Sequence, residues 1–273
     1  MSNRALMEII ANHAHLMPKS NDPDWPAGDS DMLLDHLDFC GIGQAVVFPP
    51  FACQMDNDRR LANTWAWDQV KQHSDRFIAA GNLAPAEKDA LDLLDLFHSE
   101  GIHLAKVHPS IDVYDVSDPA ARDCYAKAAE LGILLNFHTG PHRTRLSLAE
   151  PSKFDDLLWD FPNLRLLFEH FGGRTYFEQF MAIISNHEPS RAFGGITSVL
   201  SYENHRIWYL GAERITELFE CVGGDQLVYG LDFPWNSRET NRQDIEILKE
   251  LNIPAEAKSK ILGGNLKRIL SLQ

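Results

Sequence analysis

"IIANHAHLMP" (residues 9–18) is an apolar run closing on two histidines one residue apart, His13 and His15. With 12 histidines in 273 residues, composition alone supplies a His-X-His spacing roughly 0.5 times, so the pair means nothing until its place in a fold is known. Seven further apolar or β-branched runs set that place: "QAVVFPP", "FIAAGNLAP", "IHLAKVHP", "ILLNFHTG", "LRLLFEHFGG", "GITSVLS" and "QLVYGLDFPW". Between them stand segments of helical periodicity such as "DSDMLLDHLDFCG", "DRRLANTWAWDQVKQHS" and "DPAARDCYAKAAELG", many opened by Asp or Ser and closed by Gly. Strand and helix alternate throughout, which implies a parallel sheet. Taking His13, Pro49, Gly81, His108, His138, His170, Ser201 and Asp232 as strand ends, successive ends fall about 30 residues apart, the beat of a (β/α)8 barrel. No Gly-X-Gly-X-X-Gly opens the first helix, which removes support for a dinucleotide-binding sheet. The chain therefore reads as one TIM-barrel domain over 1–273. A tail, "IPAEAKSKILGGNLKRILSLQ", stops one helix at Gly263-Gly264 and enters a last one at Asn265.

Composition narrows the partners. At 44% hydrophobic residues the chain can bury a large core. A net charge of -14 argues against nucleic acid or anionic membrane as the main partner, because both attract positive surface. The opening "MSNRALMEII" has no basic stretch followed by a long apolar one, and a cytoplasmic location is expected. Cys40, Cys53, Cys124 and Cys221 stand far apart without a Cys-X-X-Cys, so reduced, buried thiols are expected rather than disulfides or a zinc knuckle.

In such a barrel the C-terminal strand ends carry the chemistry. His13 and His15 end the first strand, Lys106 and His108 the fourth, His138 the fifth, His170 the sixth and Asp232 the eighth. Residues i and i+2 of a strand share a face, so both histidines of the opening pair can reach one ion near the barrel axis. Imidazoles with a carboxylate suit zinc or a similar divalent ion, and an open position on it activates water. Each residue alone has a plainer explanation: buried or surface histidines at 13 and 15, a core histidine at 138, a turn residue at 170, a helix cap at Asp232. Four such coincidences on one rim are harder to accept than one site.

The ordered set "HAH", "LLNFHTG", "LLFEHFGG", "LVYGLDFPW" and "GGNLKRIL" resembles the amidohydrolase-related branch of the amidohydrolase superfamily over nearly the whole chain. That branch holds metal-dependent hydrolases, lactonases among them, and nonoxidative decarboxylases similar to aminocarboxymuconate-semialdehyde decarboxylase, all on a distorted barrel. The resemblance implies one divalent ion, zinc being expected, on His13, His15, His138 and Asp232, with His170 as an acid/base or additional ligand. The family often has Asp-X-His-X-His, whereas this chain has Ala11 at that place and Asn12 beside it, which removes the carboxylate expected to support the metal there.

The first expectation is hydrolysis of a small lactone, amide or ester: the metal holds hydroxide, Asp232 accepts its proton and His170 steadies the developing oxyanion. Lys106, His108, His142, Arg143, Arg145, Arg174 and Trp235 are the expected substrate-binding residues, with Arg143 and Arg145 able to clamp a carboxylate. Three alternatives stay open. The same metal can serve a nonoxidative decarboxylase, Lys106 can form the Schiff base of a metal-free aldolase, or the barrel can be a non-catalytic scaffold. A carbamylated Lys106 bridging two ions is a further variant, though a solvated or substrate-binding lysine is the simpler expectation. The expected partner is a small-molecule substrate, and the family leaves room for a homo-oligomer.

Overall fold

The computed structural model describes residues 8–19 and 25–272. The reading of the first ten residues as free of a targeting signal rests largely on positions outside them. Nine parallel strands form one sheet: β1 (Ile10–His15), β2 (Gln44–Phe48), β3 (Phe77–Ala79), β4 (Gly81–Asn82), β5 (Leu104–Val107), β6 (Leu134–His138), β7 (Leu166–Glu169), β8 (Ala192–Ile196) and β9 (Leu227–Phe233). Their order is β3-β2-β1-β9-β8-β7-β6-β5-β4. The two ends of that order, β3 and β4, are one strand interrupted at Ala80, so the sheet closes into a barrel of eight staves. The helices are α1 (Ser30–Cys40), α2 (Arg59–Gln72), α3 (Ala90–Ser99), α4 (Arg122–Leu131), α5 (Pro151–Asp160), α6 (Gly173–Asn186), α7 (Gly211–Val222), α8 (Arg238–Glu250), α9 (Ala255–Ser259) and α10 (Asn265–Ile269).

Local chemistry explains the element ends. Asp29 and Asp58 cap α1 and α2 by accepting the amides of Met32 at 3.0 Å and Leu61 at 2.8 Å. Gly41 and Gly132 close α1 and α4 with φ of 69° and 67°, a region open to glycine at little cost. Two apolar layers result. An outer one packs Ala11, Ala14, Val47, Phe137 and Phe168 against the helices. An inner one joins Ile10, Val46, Leu134, Leu167, Phe193 and Val228 to Leu266 and Ile269, so α10 plugs the N-terminal end and leaves the opposite rim open.

The seventh stave departs from expectation. It runs Ala192–Ile196, sharing only Gly195 and Ile196 with "GITSVLS", and Ser198 rather than Ser201 stands at the strand exit. The β-branched run imitates a strand, but Ser198 takes a left-handed φ of 57° that ends the ladder. The ladder runs from Ala192 to Ile196 through two glycines: a side chain at 194 would strike the Phe171 ring, and a Cβ at 195 would lie 2.6 Å from Glu169 Oε2. Two of the four thiols also differ, Cys53 and Cys221 being exposed while Cys40 and Cys124 are buried. No helix among the described residues is long and apolar enough to cross a membrane.

Candidate active site

Strict alternation along β1 points Ile10 inward and Ala11 outward, so only every second residue should reach the interior. A register shift between Ala11 and Ala14 and a φ of 62° at His13 break that rule, turning Asn12 and His13 inward together. β7 repeats the device: Glu169 follows the alternation inward, and His170 with φ 63° turns in beside it. Ser198 and Asp232, at φ 57° and 56°, complete a ring of left-handed residues around one end of the barrel. Each costs roughly 1–2 kcal/mol for a residue with a Cβ, and strain gathered at one rim marks a place where side-chain direction matters.

Glu169 is the hub of this ring. It is fully buried; its Oε1 accepts Asn12 Nδ2, and Asn136 Nδ2 at 3.0 Å. Its Oε2 lies 3.0 Å from His13 Nδ1. Burial raises the Glu169 carboxyl, but the His13 ring and the Lys106 ammonium outweigh it and hold it far below the usual carboxylate range. The carboxylate missing from the strand-one motif is thus supplied by another strand. Lys106 Nζ lies 3.3 Å from His13 Nε2. An ammonium only donates, so Nε2 carries a lone pair and the ring proton sits on Nδ1, facing Glu169. That is the tautomer of a histidine prepared to bind metal with a carboxylate behind it.

His170 is fixed by the same logic. Its Nδ1 is 2.9 Å from the Thr197 carbonyl, which only accepts, so Nδ1 carries the proton and Nε2 is bare. Burial, helped by His13 and Lys106 against the pull of Asp232, lowers its pKa to about 4. Asp232 lies across from it, Oδ1 3.4 Å from His13 Nε2 and Oδ2 accepting Ser198 Oγ at 2.6 Å. Burial alone would raise Asp232, but His13, His170 and the Ser198 hydroxyl hold it at about 2. Asn236 Nδ2 donates to Ser198 Oγ at 3.1 Å, which aims the serine proton at the carboxylate.

These donors fit a divalent ion. One ligand atom from each of His13, His170 and Asp232 lies within 4.8 Å of the others. Two ligands about 2.1 Å from a tetrahedral ion stand roughly 3.4 Å apart, and His13 Nε2 and Asp232 Oδ1 have that separation, 3.4 Å. His15 and His138 flank the group, with ring centroids 5.1 Å from His13 and 4.7 Å from His170, and each keeps one buried ring nitrogen without a hydrogen-bond partner.

The family model for amidohydrolases matches residues 10–272. This chain belongs to the amidohydrolase family. Among solved structures, the chain is similar to an uncharacterized TIM-barrel protein from Bordetella bronchiseptica, at 17% identity and TM-score 0.78 over 97% of this chain and 98% of that one. It is similar also to a dihydroxybenzoic acid decarboxylase from a Polaromonas species with bound manganese and 2-nitroresorcinol, at 13% identity, TM-score 0.73 and 98% coverage of both chains. A third is a probable 2-pyrone-4,6-dicarboxylic acid hydrolase from Acinetobacter baumannii with citric acid bound, at 14% identity and TM-score 0.68 over 97% of this chain and 100% of that one. At such identities the likeness is one of fold. No functionally curated protein matches the sequence.

Around the ring the chain opens a cavity of about 1080 Å³. Its wall contains His13, His15, Lys106, His108, His138, His142, Arg143, His170, Asp232 and Trp235, as the sequence anticipates. Arg145 and Arg174 are corrections: both stand exposed and outside the wall. Arg145 precedes the short turn Leu146–Ala149, and Arg174 falls on the outward side of the first turn of α6. Lys106 is not solvated either, being 1% exposed with its pKa lowered by burial to about 8. Residues not anticipated include Glu169, Asn136, Ser198 and Asn236, together with the aromatic wall of Trp25, Phe51 and Trp208. For Glu169 the signal was present, an acid one residue before His170 on an otherwise apolar strand.

Proposed function

We propose that this amidohydrolase is a divalent-metal-dependent hydrolase of a small lactone, amide or ester. The observation that carries this reading is the convergence of two bare imidazole nitrogens, on His13 and His170, with an ionised Asp232 oxygen. The donor set of His13, His170 and Asp232, with His15 and His138 beside it, favours zinc. A divalent ion there supplies Lewis acidity, for a substrate carbonyl and for water.

The chain's own groups divide the remaining work. Asp232, ionised at neutral pH, accepts the proton of the attacking water and returns it to the leaving oxygen or nitrogen, while Ser198 holds its second oxygen still. His170 cannot donate to an oxyanion as the sequence suggested, because its only proton is committed to the Thr197 carbonyl; it acts as ligand or base. The Lys106 ammonium, buried beside His13, is the donor placed for growing negative charge. Arg143 at the mouth can pair with a substrate carboxylate. Trp25, Phe51, Trp208 and Trp235 offer a flat apolar surface that excludes water.

Nonoxidative decarboxylation has one observation in its favour: Lys106, with its pKa near 8, is an acid able to protonate a carbon that loses CO2. Turnover in ¹⁸O-labelled water separates the two. Hydrolysis places one solvent oxygen in the product and releases no CO2, whereas CO2 release with unlabelled product overturns the hydrolase reading.

A further inference from the structure

The loop between β8 and α7 supplies the cavity wall with Ser198, Asn204, His205, Ile207 and Trp208. Trp208 lies against His170, with ring centroids 4.9 Å apart. On the same loop His205 Nε2 stands 2.6 Å from Asn236 Oδ1, and this contact begins a chain of hydrogen bonds that ends on Asp232. The Asn236 amide has one orientation open to it. Its Nδ2 donates to the Leu231 carbonyl at 2.7 Å and to Ser198 Oγ at 3.1 Å. A carbonyl only accepts, so Oδ1 faces His205 and takes the proton of Nε2. Ser198 accepts from Asn236 and gives its own proton to Asp232 Oδ2 at 2.6 Å. We propose that His205 is a positioning residue for Asp232, acting through Asn236 and Ser198 to hold the carboxylate in one orientation.

Packing is a poor explanation for an imidazole at this place. His205 Nδ1 is buried without a hydrogen-bond partner, a state that destabilises the fold and that an apolar ring of similar size avoids. The ring's one hydrogen bond among the described residues is the one to Asn236. A second rung, from Asn204 Nδ2 to Thr240 Oγ1 at 3.0 Å, ties the same loop to α8 and keeps His205 level with Asn236. Without the His205 donor, the buried Asn236 loses the partner of its Oδ1, its amide is free to turn, and Ser198 no longer has its proton aimed at Asp232. The loop that brings Trp208 to the substrate cavity therefore also sets the aim of the carboxylate.

The role given to His205 rests on Asp232 being the metal-holding carboxylate of the proposed hydrolase, and two measurements on the full chain test it. The first needs no folded variant: proton–nitrogen correlation spectra of the metal-free chain with ¹⁵N-labelled histidine, the His205 signal being the one absent from His205→Gln. A proton on Nε2 and a bare Nδ1 are expected; a proton on Nδ1 alone overturns the chain of donors. The second is zinc affinity by chelator competition. Ser198→Ala should weaken zinc about 10-fold, the lower end for groups that orient a ligand, and His205→Phe, one link further out, roughly 3–10-fold. His205→Gln, whose amide nitrogen falls near the place of Nε2, should restore affinity to within about twofold of native. In the Ser198→Ala background His205→Phe should add nothing, because the link it acts through is already cut. Losses that multiply in the double variant, or no rescue by glutamine, overturn the proposal. If Asp232→Asn loses zinc while His205→Phe binds it as native does, the hydrolase centre stands and the role of His205 falls. If Asp232→Asn binds zinc as tightly as native, the hydrolase centre itself falls, and the role of His205 with it.

Discussion

Replacing Glu169 by Gln keeps the shape of a fully buried side chain and removes one charge. Two amides donate to Oε1, from Asn12 and Asn136, and His13 Nδ1 stands 3.0 Å from Oε2 as its ion-pair partner. Glutamine has one oxygen and one amide. If its oxygen stays with the two asparagines, its NH2 meets the His13 Nδ1 proton, and that ring must move its proton to Nε2 to accept. His13 then loses the lone pair that faces Asp232. A hydrogen bond to a charged group contributes about 1.5–3 kcal/mol, which corresponds to a roughly 10–150-fold loss in metal affinity, consistent with the ~10–100-fold typical of groups that orient a ligand histidine. The assay is a chelator-competition titration of the stripped protein, native against Glu169→Gln, with circular dichroism to verify folding. An affinity within threefold of native in a folded variant refutes the chain of reasoning from Glu169 to the His13 tautomer.

Three other outcomes are expected. Ser198→Ala frees Asp232 Oδ2 and should lower kcat roughly 10-fold or more with KM little changed; a change in KM alone would assign the hydroxyl to substrate instead. Lys106→Met removes a buried cation 3.3 Å from His13 Nε2 and should tighten metal binding while lowering kcat by about 10²–10³; a borohydride-trapped adduct on Lys106 of the native enzyme would instead establish the Schiff-base chemistry. Asp244, on α8, is 2% exposed, has an unpartnered Oδ1, and is pushed by burial from 3.8 up to about 7. Because the native state then binds a proton that the unfolded state has released, stability falls as pH rises from about 4 to about 7, by up to roughly 4 kcal/mol for this group. Asp244→Asn should therefore be more stable than native at pH 8 and no more stable at pH 4, as read by urea unfolding at both; an equal difference at the two pH values contradicts this.

What was legible in the sequence followed from period and position. His13 and His15 flank an outward-facing Ala14, as a two-residue repeat requires, and the even recurrence of apolar runs gave the barrel and the rim on which His138, His170 and Asp232 meet. What was hidden depends on broken periodicity. The inward turn of both Asn12 and His13, and of both Glu169 and His170, comes from left-handed residues that no apolar pattern announces. Asn12 looked like the sign of a missing carboxylate; in the folded chain it donates to the carboxylate that replaces it. Ser198 was displaced from view by a β-branched run that resembles a strand, and Trp208 reaches the cavity from the loop after β8, where spacing carries no information. Arg145 and Arg174 show the converse, charges close in sequence to the site that their own turns direct into solvent.

The most direct test of the central claim is anomalous diffraction at the zinc or manganese edge on crystals of the reloaded chain. A peak bounded by His13 Nε2, His170 Nε2 and Asp232 is expected, with Glu169 still behind His13. A metal-loaded crystal with no peak between those three residues contradicts the proposed centre.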